Sequence, residues 1–339
     1  MDRIKSFLTL VVILLPVTVN SVTVSNLYEA EVPINDISPE SWGPAIRTAL
    51  GIVLIRLTGD RYAAGNPVLQ SVLSKANNYM TEYKPNADEL VLWVRFDEAK
   101  LEKDIRNLGI PVWGKERPLT LVWIVIEGES GREILGMEGN QDFIEIIENR
   151  ASRRGIVMSY PLLDLEDSAN LQASDIRAGF MQTVLEASRR YPVDSILAGS
   201  IESPVPGIWE SRWFAYINGE NIKTWNAEGD IPGIVIDEGI DGLADFLAAN
   251  FNQSQEIEQN NVSITIADIY NVDQYAEAYK YLDSLSAVIN VYVSHVTGSE
   301  VTFIVEAHGG CRTVSQAIAL GRKLEPLVNN ECDKYRLLP

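Results

Sequence analysis

Cysteine and histidine are almost absent from this chain. Among 339 residues the only cysteines are Cys311 and Cys332, and the only histidines are His295 and His308. A structural zinc site usually takes four such ligands, so this inventory argues against zinc ribbons and fingers. No CxxC, HExxH, GxSxG, P-loop or GxGxxG pattern occurs, which removes the common redox, metalloprotease, serine-hydrolase and nucleotide-binding signatures. Runs of positive charge are missing too. No stretch of Lys or Arg exceeds two, and the formal net charge is −19. Such a field repels nucleic acid and anionic lipid. No segment beyond the amino terminus is apolar enough to span a bilayer, which takes about 20 consecutive residues. No cofactor is implied.

The amino terminus reads MDRIKSFLTLVVILLPVTVNS. Arg3 and Lys5 form a short basic region, Phe7 to Val19 is apolar, and Val19 and Ser21 are small. Residues 1–21 are therefore expected to be a secretory signal peptide cleaved near Ser21, leaving a periplasmic mature chain. An uncleaved anchor is the alternative. Export makes a disulfide between Cys311 and Cys332 feasible, and two separate thiols remain the other reading.

The periodicity divides the remainder into an α+β unit at 22–113, an α/β unit at 114–252, a linker at 253–261 and a last unit at 262–339. In the first, Trp42, Ile46, Ala49, Leu50, Val53, Leu54 and Leu57 keep a helical stripe that Gly59 ends. Leu69 to Tyr79 predicts a second helix. ELVLWVRF predicts a strand, and Asp97 opens a helix ending at Gly109. In the second unit, the apolar run 117–127 predicts a strand covered on both faces. Helices are expected at 141–154, 176–190 and 237–251. Strands are expected at GIVMSY and DSILAGSI, a polar loop at 164–174, and a hairpin about Asn218-Gly219. The third unit reads strand, helix, strand, strand, helix, which predicts a ferredoxin-like fold.

ASRRG at 151–155 and ASRRY at 187–191 each close a predicted helix before a strand. Cations in the last turn of a helix are favourable by about 0.3–1 kcal/mol, whereas anion sites use the opposite end. Arg153, Arg154, Arg189 and Arg190 are thus expected to cap helices. The acids Asp164, Glu166 and Asp167 read as a solvated loop, and Asp237, Glu238 and Asp241 as a helix start. His308 before Gly309-Gly310-Cys311 reads as a strand-to-helix turn, or as an imidazole beside a thiol. Trp209 and Trp213 are in step on a strand period, as core residues or as an aromatic platform for a glycan or peptide.

Several phrases are familiar together: LYEAEVPINDIS, LIRLTGDR, FDEAKLEKDIRNLGIPVWGKERPLTLVWI and ASRRYPVDSILAGSI. Over residues 25–325 they resemble an uncharacterised family of exported proteobacterial proteins, domain of unknown function 2066, for which the resemblance implies no catalytic residues. The element order of the middle unit and DSILAGSI also resemble the amino-terminal domain of TolB and the lipoprotein activators of peptidoglycan synthases.

The expectation is a non-enzymatic binding protein whose partner is another envelope protein. Gly199, Trp209 and Trp213, near the carboxyl end of the central strands, are the candidate binding residues. A carrier of a small glycan or lipid is the first alternative, and it requires an enclosed apolar pocket. A carboxylate-dependent hydrolase is the second, and it requires two convergent acids with one strongly raised pKa.

Overall fold

The computed structural model describes residues 24, 26–128, 131–136, 140–217, 221–251, 259–327 and 332–338. The expected leader, most of the expected linker and the Asn218-Gly219 turn lie outside the described residues.

The first unit is an antiparallel sheet ordered β1-β3-β2, from β1 (Glu29–Pro33), β2 (Met80–Asn86) and β3 (Val91–Phe96). One face is covered by α1 (Gly43–Thr58), whose Ala49, Leu50, Val53, Leu54 and Leu57 are buried against Ala30, Val32, Leu92 and Val94. Gly59 ends α1 in the left-handed region, at φ 72°, which costs a glycine little. The predicted second helix is reduced to α2 (Gln70–Leu73) between 3-10 turns. Ser74, Asn77 and Asn78 favour turns over helix propagation, yet Leu69, Val72, Leu73, Ala76 and Tyr79 are all buried. Asp97 caps α3 (Glu98–Asn107) by accepting the Lys100 N–H at 3.0 Å.

The second unit is a mixed sheet. β4 (Leu119–Gly128) runs parallel to β7 (Ser195–Val205), and β8 (Ile208–Ile217) and β9 (Asn221–Gly229) extend it antiparallel. β5 (Gly131–Ile134) and the short β6 (Val157–Ser159) share the other edge of β4. α4 (Gln141–Arg154) and α8 (Pro232–Phe251) cover one face. The other carries α5 (Leu165–Asn170), α6 (Ala173–Ala178) and α7 (Met181–Ser188).

Three expectations fail here. The polar stretch 164–174 is largely helical, because Asp164 accepts the N–H groups of Glu166 and Asp167 as an N-cap, and Asp167 is buried. The helix expected at 176–190 is broken at Gly179, φ 75°. And α8 begins at Pro232, so Asp237, Glu238 and Asp241 lie within it rather than at its start.

The third unit has the expected order, β10 (Gln259–Ala267), α9 (Val272–Ser284), β11 (Val288–Thr297), β12 (Glu300–His308) and α10 (Gly310–Gly321). The tail adds β13 (Leu324–Pro326) and β14 (Lys334–Leu337), giving the sheet order β11-β12-β10-β14-β13. β14 pairs with β10 in parallel, a departure from the antiparallel fourth strand of the ferredoxin-like arrangement. Cys311 and Cys332 are joined in a disulfide with Cα atoms 5.6 Å apart, which holds α10 against the tail.

In the middle unit Trp213 is clasped between sheet and helix. Its indole N–H donates to Ser211 Oγ at 2.7 Å. A Cβ added at Gly199 on β7 or at Gly239 on α8 would come within 2.3 Å of the ring. Gly239→Ala is therefore expected to lower stability by about 1–3 kcal/mol through overpacking. The same change should cost far less beside Trp213→Leu, since both act at one contact. Thermal unfolding of the four proteins of this cycle measures the coupling, and strictly additive losses would refute the clasp.

Candidate functional site

α1, α4 and α8 meet where the first unit joins the second, and arginines hold the junction. α8 carries Asp237, Glu238, Asp241 and Asp245 on one side. Arg61, just beyond α1, reaches Asp245 at 2.6 Å, Glu238 at 3.0 Å and Asp241 at 3.6 Å. Arg150 of α4 pairs with Asp241 and, at 3.4 Å, with Asp237. Arg154 is buried, 2.6 Å from Asp245 and 3.4 Å from Asp241, and donates to the Gly59 carbonyl at 2.9 Å. Burial pushes the Arg154 guanidinium down, against the pull of both aspartates. Arg154 thus does more than cap α4: it binds two units together. Arg190, just past α7, reaches Asp164, Glu166 and Asp167, and it holds the exposed Asp164 carboxyl well below the usual range.

Beside this junction an open groove of about 730 Å³ runs between the edge strand β1 and α4. The even-numbered residues of β1 direct their backbone groups to β3. Tyr28 O accepts from Phe96 N, and Ile34 N donates to Leu90 O. By the alternation of a strand, the backbone groups of Glu29 and Glu31 point outward. Those of Glu29 are engaged by Asn26 and Arg56. The N–H and C=O of Glu31 have no partner among the described residues. Ile146, Asn149 and Arg153 of α4 and Ile52 of α1 also line the groove. Arg153 and Asn149 are exposed and have no hydrogen bond or ion pair among the described residues.

The residues chosen from sequence fall elsewhere. Gly199 and Trp213 meet each other in the core, and Trp209 packs on Phe143 with ring centroids 6.3 Å apart. The platform has no free face at Trp213, because α8 covers it. His308 precedes a turn in which Gly309 and Gly310 have φ of 73° and 64°, and Cys311 is consumed by the disulfide, so no thiol stands beside the imidazole. Each acid on α8 has an arginine partner. Among the described residues no group of three or more His, Cys, Asp or Glu is placed to hold a metal. Sequence reading missed the groove because Arg153 looked like a helix cap. Its one visible signal was the polar run Glu148-Asn149-Arg150 with Ser152-Arg153, too polar for a helix side facing core.

Two variants test the junction. Arg154→Met takes one of three arginines from the buried Asp241 and leaves the Gly59 carbonyl without its donor, and should cost about 1–3 kcal/mol in urea unfolding. Asp237 behaves differently: burial, helped by Asp241, raises its pKa above the usual 3.8 despite Arg150. A carboxyl raised on folding opposes stability once ionised and ceases to do so below its unfolded pKa. Asp237→Asn should therefore melt higher than the parent at pH 7, and the gap should close as pH falls below 3.8. A gap that widens in acid would contradict this.

Comparison with known proteins gives two family models. Residues 21–114 match Domain of unknown function (DUF8605), and residues 260–331 match DUF2066. No curated protein matches. A solved structure of homoserine dehydrogenase from S. aureus, at pH 6.5, is similar at 8% identity over 32% of this chain and 28% of that one. The chain thus spans under a third of that enzyme, and at a TM-score of 0.15 the likeness carries no argument. The phrases that suggested domain of unknown function 2066 lie mostly in the first two units, and the first of these matches a model of its own. The family resemblance itself is shown over the third unit, residues 260–331.

Proposed function

We propose that this chain is a non-catalytic periplasmic binding protein whose partner is another cell-envelope protein, and that the partner lays an extended, carboxylate-bearing segment into the groove between β1 and α4. The observation that carries the reading is one groove lined by both the outward amide pair of Glu31 and the exposed Arg153, neither with a hydrogen-bond or ion-pair partner among the described residues. A strand added to a free edge gains backbone hydrogen bonds there, and side-chain pockets give it selectivity. Glu31 supplies one N–H and one C=O. Arg153 and Asn149 receive a carboxylate, and Ile52 and Ile146 contact an apolar side chain. Arg153 is the charge that favours an acidic segment over a basic one.

The leader-like residues 1–21 and the bridged Cys311 and Cys332 support the periplasm, because disulfides persist in oxidising compartments. A carrier of a small apolar ligand would call for an enclosed cavity, and the β1–α4 groove and a second groove on the middle unit are open and lined mainly by polar groups. A hydrolase would call for unpaired converging acids, and Asp237 is instead tied to Arg150.

Photocrosslinkers at Asn149 and Glu31, in intact cells, test the proposal. The expected result is one envelope protein captured from both positions and not from Lys103 on α3. Arg153→Glu should reduce capture about tenfold, the scale of one lost charge-assisted contact. Capture indifferent to Arg153→Glu, or a cytosolic chain with reduced thiols, would overturn it.

A further inference from the structure

A second groove, of about 710 Å³, opens on the far face of the middle unit, at the carboxyl ends of β4 and β7. It stands apart from the β1–α4 groove. Its floor is two cross-strand rows. In one, Ser200, Arg212 and Asn226 lie side by side on β7, β8 and β9. In the next, two residues along, Glu202, Glu210 and Glu228 do the same. Arg177 of α6 and Arg132 of β5 form a wall. Arg177 binds Glu202 at 2.7 Å and Glu127 at 3.3 Å, and Arg132 binds Glu127 at 3.0 Å. These pairs neutralise one another. Arg212, Glu210 and Glu228 have no ion pair or hydrogen bond among the described residues.

Two features of this floor bear on what it could hold. Like charges directly opposite on neighbouring strands repel, yet Glu210 sits between Glu202 and Glu228. And Ser200 is only 7% exposed, lines the groove, and has no hydrogen-bond partner among the described residues for its hydroxyl. Its Oγ is not sealed off, so the hydroxyl opens into the groove and is free to meet a ligand there.

We propose that this groove binds a short zwitterion, its carboxylate on Arg212, Ser200 and Asn226 and its ammonium between Glu210 and Glu228. The rows are about 6.6 Å apart, two residues of strand rise. That separation fits the two termini of a free dipeptide, or the α-carboxylate and side-chain ammonium of lysine. The ligand relieves the glutamate row and satisfies the Ser200 hydroxyl in one step. The shared chemistry is a carboxylate and an ammonium held one strand repeat apart.

Calorimetric titration of the mature protein with Ala-Ala, lysine, N-acetyl-Ala-Ala and Ala-Ala-amide tests this. Ala-Ala or lysine should bind, and whichever binds identifies the source of the ammonium. For the dipeptide, blocking either end should weaken binding at least about tenfold. Arg212→Gln should erase the preference for Ala-Ala over its amide. Glu210→Gln with Glu228→Gln should erase the preference over the acetylated form, and should raise the melting temperature without ligand by removing repulsion. These exposed positions leave the core intact, so a melting temperature no lower than the parent's confirms that lost binding is local. Absence of heat with both zwitterions at about 10 mM, or equal affinity for blocked and free forms, would overturn the inference.

Discussion

The carboxyl end of α1 is buried, and its last carbonyls must be met without water. A helix leaves its final carbonyls without partners of its own, and an unmet buried acceptor costs about 1–3 kcal/mol. Here those of Ile55, Arg56 and Leu57 are answered from distinct places. Gly59 N–H donates to Ile55 O at 3.0 Å, and Trp113 N–H to Leu57 O at 2.6 Å. The Arg117 guanidinium donates to Arg56 O at 2.8 Å and to the carbonyls of Trp113 and Gly114, and it stacks 3.7 Å from the Trp113 ring. Arg154 takes Gly59 O. The segment from Trp113 to Arg117 is therefore a plug that fits the end of one helix, and the domain junction follows from it. The next residues of that plug reach the third unit. Lys115 N–H donates to Ser286 Oγ at 2.9 Å, and Ser286 donates to Glu116. Arg322 of the third unit returns to Asp194 at 2.9 Å and to Pro192 O.

That arrangement settles where the cations of an acidic chain go. With 47 Asp and Glu against 28 Lys and Arg, arginines are scarce, and most of those near the junction are held inside it. Burial lowers the Arg56 and Arg117 guanidinium pKa values, and backbone carbonyls rather than carboxylates surround both. Such groups fix geometry, because a misplaced buried charge is severely penalised. Arg153 and Arg212 are the exceptions among the arginines that line the two grooves described above. Each faces solvent in a concave surface with no ion pair or hydrogen bond among the described residues.

Much of the fold was legible in the sequence, and the reasons are local. α1, α3 and α4 announce themselves by apolar stripes with a glycine stop or an aspartate cap, and β3 and β4 by short apolar runs. The order of the third unit was readable because each of its elements is amphipathic. The misreadings share another cause. Asp164 and Asp167 look alike in one dimension, yet only Asp167 is drawn inward, by Arg190, Tyr191 and the local cap that Asp164 provides. The acids of α8 resembled a helix start because their partners, Arg61, Arg150 and Arg154, lie far away in sequence. Trp213 resembled a platform because the glycines that enclose it, Gly199 and Gly239, come from two other elements. Periodicity reports which face of an element is apolar. It does not report which neighbour covers that face, and both grooves are made by neighbours.

The two faces of the middle sheet are finished differently, and this gives the far groove its character. α8 covers its own face to the last turn. On the other face the break at Gly179, where an added Cβ would come within 2.8 Å of Phe214, seats the α6–α7 bend on that ring. The rows beyond Phe214 are left in the open. An uncovered stretch of sheet must be polar, and alternating signs would satisfy that requirement while gaining about 0.2–1 kcal/mol per opposed pair. Solubility therefore accounts for a polar floor but not for three glutamates abreast beside an arginine that none of them engages. The distribution of charge on that floor is ordered by row rather than mixed, which is the pattern expected when the complementary charge arrives from outside the chain.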